Sequence, residues 1–144
     1  MQVDLGFDKV EKVLHVADVH IRNYKRHKEY KQVFRKLYKA ARALPKNSLI
    51  YVAGDIVHTK TDISPELVSM VSEFLNSLAK IRPTVIIAGN HDANLNNPSR
   101  LDSLTPIVDN LNNDNLYYLR DSGIYSFADV DFIVYSVLQE STSW

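Results

Sequence analysis

The apolar positions of this chain fall into two rhythms, and their alternation lays out a fold before any single residue is considered. Residues 12–17 (KVLHVA), 48–53 (SLIYVA) and 84–88 (TVIIA) are short continuous apolar runs, the pattern of strands buried on both faces. Between the first two, Tyr30, Val33, Phe34, Leu37, Tyr38, Ala41 and Leu44 fall at i, i+3, i+4, i+7, i+8, i+11 and i+14. That spacing predicts a helix whose outer side is left to Lys28, Lys31, Arg35, Lys39 and Arg42. Pro45 ends it, because a proline disfavours the α region at the residue before it and has no N–H to continue the ladder. Between the second and third runs, Ser64-Pro65 pairs a capping hydroxyl with a proline at the first helical position. Leu67, Val71, Phe74, Leu75 and Leu78 supply the stripe behind it, up to Arg82-Pro83. The order β-α-β-α-β predicts an α/β fold, a layered parallel sheet with helices on both faces. Further on, Thr105-Pro106 opens a short helix through Leu111. Residues 116–119, 124–127 and 132–138 read as strands, the last two as a hairpin turning at Ala128-Asp129-Val130.

Composition narrows the class. The 144 residues, 45% hydrophobic and 24% charged, suffice for one domain core, and a single domain spanning 1–144 is the expectation. No apolar run nears the roughly 20 residues of a membrane span, and no leader with a cleavage site is present, so a soluble, cytoplasmic protein without membrane partners is expected. With no cysteine, a metal has only nitrogen and oxygen ligands available. The net charge of zero is unevenly spread. Residues 22–46 hold ten Lys or Arg against the single acid Glu29, a basic block that is either a solvated helix face or a contact for a polyanion.

The predicted strands all end in polar loops: Asp18-Val19-His20, Gly54-Asp55-Ile56-Val57-His58 and Gly89-Asn90-His91-Asp92. Ligands of open α/β sheets gather outside the carboxyl ends of strands, so these loops are expected to converge. Asp18 and His20, two apart, project from one side of an extended chain and can grip one cation. Asp55 has two oxygens and can bridge two cations, and Asn90 offers a neutral carbonyl oxygen. Gly54 and Gly89 let the backbone turn sharply beside them. Such ligation suits Mn²⁺, Fe²⁺ or Zn²⁺, and two such ions about 3.5–4 Å apart activate water and clamp a phosphate for in-line attack. His15, inside the first strand, is expected in the core, and His27 on a solvated helix flank.

D-x-H, then GD with a histidine three positions on, then GNHD, spaced by 37 and 35 residues from Asp18 to Asp55 to Asn90, together resemble the calcineurin-like metallophosphoesterases. GDIVH and GNHD are unlike the phosphoprotein phosphatases. The stretches GDIVHTKTDISPEL and GNHDANLNNPSRLDSLTPIV look most like the nuclease subunit of SbcCD-type DNA repair complexes and phage recombination endonucleases, over about residues 12–138. The resemblance implies two divalent ions, Mn²⁺ foremost with Fe²⁺ or Zn²⁺ as alternatives. Asp18 and His20 would bind the first, Asp55 would bridge, and Asn90 would bind the second. His91 is implied as general acid, Asp92 as the group that orients it, and His58 as a histidine near the substrate phosphate. It further implies DNA as substrate, an SbcC-type ATPase and a homodimer as partners, and a bacterial or phage-infected cytoplasm.

The family adds histidines from later strands, whereas no histidine follows His91 here, so the resemblance implies that the single domain over 1–144 is a partial metallophosphoesterase domain. Ala17 stands where Ser or Thr is usual, and Ile21-Arg22 where Leu-Gly is common. Two other readings stay open: a general metallophosphoesterase acting on nucleotides or small phosphodiesters, and an inactive truncated or split product serving as a binding module.

Overall fold

A computed structural model describes residues 1–22, 26–57, 64–89, 102 and 104–136. The continuous apolar runs become strands β2 (Val13–Val16), β3 (Leu49–Ala53) and β4 (Thr84–Ile87), joined by β5 (Leu116–Tyr118) in a parallel sheet of order β2-β3-β4-β5. Register is continuous across it, Val16 beside Val52 and Val52 beside Ile86. A second sheet has the order β1-β6-β7, from β1 (Gln2–Val3), β6 (Gly123–Phe127) and β7 (Val130–Val134). β6 and β7 form the expected hairpin, with Ala128 taking a left-handed φ of 55° at the turn. β1, only two residues long, carries no periodic signal and was not expected.

The helices follow their apolar stripes apart from Val33, and α2 follows its cap as well. Helix α1 (His27–Arg42) packs on α2 (Pro65–Ile81) through Phe34 and Phe74, whose ring centroids are 4.3 Å apart. Ser64 caps α2, its hydroxyl oxygen accepting the Leu67 N–H at 3.1 Å. α3 (Thr105–Leu111) is short. Val33, counted in the apolar stripe of α1, is 60% exposed: one position from Phe34, it sits about 100° around the helix, beyond the contact with α2 and the sheet.

The cover of the parallel sheet differs from the expectation of helices on both faces. Among the described residues α1, α2 and α3 share a single core with Ile50, Val52, Ile86 and Leu116 on one face. The alternate positions Leu49, Tyr51, Val85, Ile87 and Tyr117 meet Phe127, Phe132 and Val134 of the second sheet. The reason is topological. The strands stand side by side in sequence order, and right-handed crossovers between them put every connecting helix on the same side. The opposite face needs another apolar layer, supplied by the aromatic inner side of β6 and β7. His15 likewise departs from its expected place in the core. β2 is the edge strand, and His15 is exposed on it, resting against the Tyr51 ring at 5.1 Å.

Candidate metal centre

The pairing of β2 with β3 does not stop where the strands do. The His20 N–H donates to the Asp55 carbonyl at 2.9 Å, the Ile21 N–H donates to the Ile56 carbonyl at 2.8 Å, and Ile21 bridges Val57 in parallel. The two loops are zipped together at the carboxyl edge of the sheet. Their hinge residues all take left-handed φ: 53° at Asp18, 51° at His20, 52° at Asp55 and 80° at Gly54. Asp and His both enter this region more readily than most non-glycine residues, and four left-handed residues in two paired loops still need a surrounding structure that holds them.

The result is a cluster in which one ligand atom each from Asp18, His20 and Asp55 lies within 4.8 Å of the others. His20 Nε2 stands 3.5 Å from an Asp18 carboxylate oxygen. The Asp18 side chain is 77% exposed and that of His20 29%, so the cluster opens to solvent. Two ligands on a single cation with bonds of about 2.1 Å can be at most roughly 4.2 Å apart, so the cluster needs to tighten only slightly to share an ion. Two carboxylates and an imidazole are a donor set for Mn²⁺, Fe²⁺ or Zn²⁺.

Gly89, just past β4, closes the third side. A Cβ built on it would fall 2.1 Å from Asp55 Oδ1 and 2.5 Å from the Asp55 nitrogen. A Cβ on Gly54 would meet the Gly89 nitrogen at 2.8 Å. The two glycines cross in direct contact, which lets the ends of β3 and β4 approach until the Asp55 carboxylate lies against bare backbone. A sharp turn beside each glycine is a local expectation; their crossing is a tertiary fact. Asn90, His91, Asp92 and His58 lie outside the described residues.

Two further residues carry roles that the strand-end motifs do not announce. The Tyr30 hydroxyl, in the first turn of α1, donates to the His20 carbonyl at 2.6 Å and pins the Asp18–His20 loop to the helix. Asp102 has a fully buried side chain that accepts from the Leu104 N–H, the Thr105 N–H and hydroxyl, the Tyr118 hydroxyl and Arg120 Nε. Burial alone would push its carboxyl up. The hydrogen bonds from Thr105, Tyr118 and Leu104 outweigh that and hold it below the ordinary carboxylate range. A signal existed in the sequence: an Asp three residues ahead of Thr105-Pro106 is placed to cap α3.

Metal-ligating residue types at the ends of adjacent parallel strands, backed by helices on one face and a second sheet on the other, define a metallophosphoesterase-type architecture. The chain belongs to the calcineurin-like phosphoesterase family, whose sequence profile matches residues 11–140, and metal-dependent phosphoester hydrolysis is the chemistry this domain type suggests. It is 42% identical over 135 residues to an uncharacterized protein of Acanthamoeba polyphaga mimivirus, covering 92% of this chain. The chain spans about a tenth of that relative's length. No described helix is long and apolar enough to cross a membrane.

Proposed function

We propose that this domain hydrolyses DNA phosphodiester bonds with two divalent cations. Asp18 and His20 would hold the first, Asp55 would bridge, and Asn90 would hold the second, with Mn²⁺ the leading candidate and Fe²⁺ or Zn²⁺ the alternatives. When bound, such a pair supplies an activated water at neutral pH and offsets charge on the phosphoryl group. In this reading His91 gives a proton to the leaving oxygen, Asp92 fixes the tautomer and orientation of that imidazole, and His58 hydrogen-bonds the phosphate.

The observation that carries the proposal is the meeting of Asp18, His20 and Asp55 within 4.8 Å at the carboxyl ends of two paired strands. The choice of DNA is supported by the similarity of the GDIVH and GNHD stretches to SbcD-type nuclease subunits, and by the exposure of Asp18, which leaves room for a bulky substrate. An SbcC-type ATPase that presents DNA ends, a homodimer and a cytoplasmic setting belong to the same proposal, as does the chain's acting as a single domain.

The test measures metal content by elemental analysis, then Mn²⁺-dependent turnover of duplex DNA and of bis(p-nitrophenyl) phosphate. Asp55→Ala is expected to lose bound metal and both activities. His91→Ala is expected to keep the metal and slow turnover by about 10²–10⁴-fold. Turnover of the small diester without DNA cleavage would favour the general phosphoesterase, and a wild-type chain without metal or turnover would favour the binding module.

A further inference from the structure

We infer that the exposed basic stripe of α1 is a docking track for the phosphate backbone of duplex DNA, starting beside the metal cluster and leading away from it. Lys28, Lys31, Arg35, Lys39 and Arg42 follow one another at intervals of three or four residues, and all are exposed. At 100° per residue they fall in a strip roughly 80° wide. Over the 14 steps from Lys28 to Arg42 the stripe runs about 21 Å, with a cation every 4.5–6 Å or so. The Tyr30 hydroxyl on the His20 carbonyl ties the helix end where the stripe begins to the Asp18–His20 loop, with Tyr30 itself roughly 140° round the helix from the middle of the stripe.

The charge on this stripe is not tied up in close ion pairs, although Glu66 and Glu73 of α2 line a groove with Lys31. Among the described residues none of these five side chains is in an ion pair. Lys31 and Arg35 line a groove of about 220 Å³ together with Glu73 of α2, yet no ion pair joins them to it. A row of cations spread along a helix suits a long ligand with periodic negative charge, and duplex DNA carries one charge per about 1.7 Å. An anionic membrane fits less well. The apolar side of α1 is already spent on α2, through Phe34 and Ala41, so it has no greasy face to insert.

The inference rests on DNA being the substrate. Its test compares wild type with the variant carrying Lys→Gln or Arg→Gln at all five positions, which keeps helix propensity. Affinity for a blunt 30-base-pair duplex is measured against salt concentration, alongside turnover of bis(p-nitrophenyl) phosphate and helicity by circular dichroism. We expect unchanged helicity and unchanged small-diester turnover. DNA binding should weaken at least tenfold at 0.1 M salt, and the slope of log K against log salt should flatten by up to about 4.5, since each lost phosphate contact removes about 0.9. Glu73→Gln should tighten binding. A salt slope equal to wild type in the five-fold variant overturns the track while leaving the DNA reading intact. Small-diester turnover by a wild type that binds no duplex overturns the DNA reading itself, and binding to phosphatidylserine vesicles in place of duplex overturns the track in favour of a membrane.

Discussion

Two residues show how little space separates a working cluster from a broken one. Any side chain at position 89 occupies the volume now taken by the Asp55 carboxylate. Gly89→Ala is therefore expected to displace Asp55 and weaken Mn²⁺ binding at least tenfold in calorimetry, while the far-ultraviolet spectrum stays native. Asp102 acts on stability instead. An amide has one acceptor oxygen for the donors that Asp102 now satisfies, so Asp102→Asn leaves buried groups unpaired at about 1–3 kcal/mol. The pH dependence follows from the sign of its shift. The folded carboxyl titrates below its unfolded value near 3.9, so its contribution is complete above that value and is lost as pH falls through the folded value. Urea unfolding between pH 2 and 5 should show a shallower acid decline for the variant than for wild type.

At the scale of elements, α1 both packs and positions. Tyr30 stacks on Phe34 at 5.9 Å and reaches the His20 carbonyl with its hydroxyl. Tyr30→Phe keeps the ring and removes only that hydrogen bond, worth about 0.5–1.5 kcal/mol. A several-fold loss of metal affinity with unchanged helicity is the expected outcome, and calorimetry with circular dichroism checks it. The elements themselves were largely legible in the sequence. The apolar runs of β3 and β4, the Ser64-Pro65 start of α2 and the stripe from Leu67 to Leu78 are local signals, and all appear where the pattern placed them. What could not be read locally was which layer covers each face. Alternation within β3 divides Leu49 and Tyr51 from Ile50 and Val52, but only strand order decides that the first pair meets a sheet. His15 was misplaced for the same cause, since an edge strand and a central strand look alike in four residues. For the candidate site, the D-x-H and GD motifs pointed to Asp18, His20 and Asp55, which the fold brings within 4.8 Å of one another; the Tyr30 contact and the crossing of Gly54 with Gly89 are products of the assembled fold.

Across the whole molecule, two hydrophobic cores share the parallel sheet as a common wall. Phe127 anchors the sheet-to-sheet core, fully buried and edge-on to Tyr117 at 5.2 Å and Phe132 at 5.5 Å. Phe127→Ala should cost about 3–5 kcal/mol, read by denaturant unfolding. Hydrogen exchange should rise first in β6 and β7, with the helices and the Asp18, His20, Asp55 cluster held by the other core. The left-handed backbone at those three residues has a consequence for how this protein would drift if its activity were not needed. A non-glycine residue held there costs on the order of 1 kcal/mol or more, and glycine pays no such steric cost. Asp18→Gly should therefore bind less metal yet melt at an equal or higher temperature in the metal-free state, as differential scanning calorimetry would report. Random variants selected for thermal endurance alone should lose Asp18, His20 and Asp55 before they lose the fold, and retention of all three in such a population would mean that the left-handed backbone there carries no such cost.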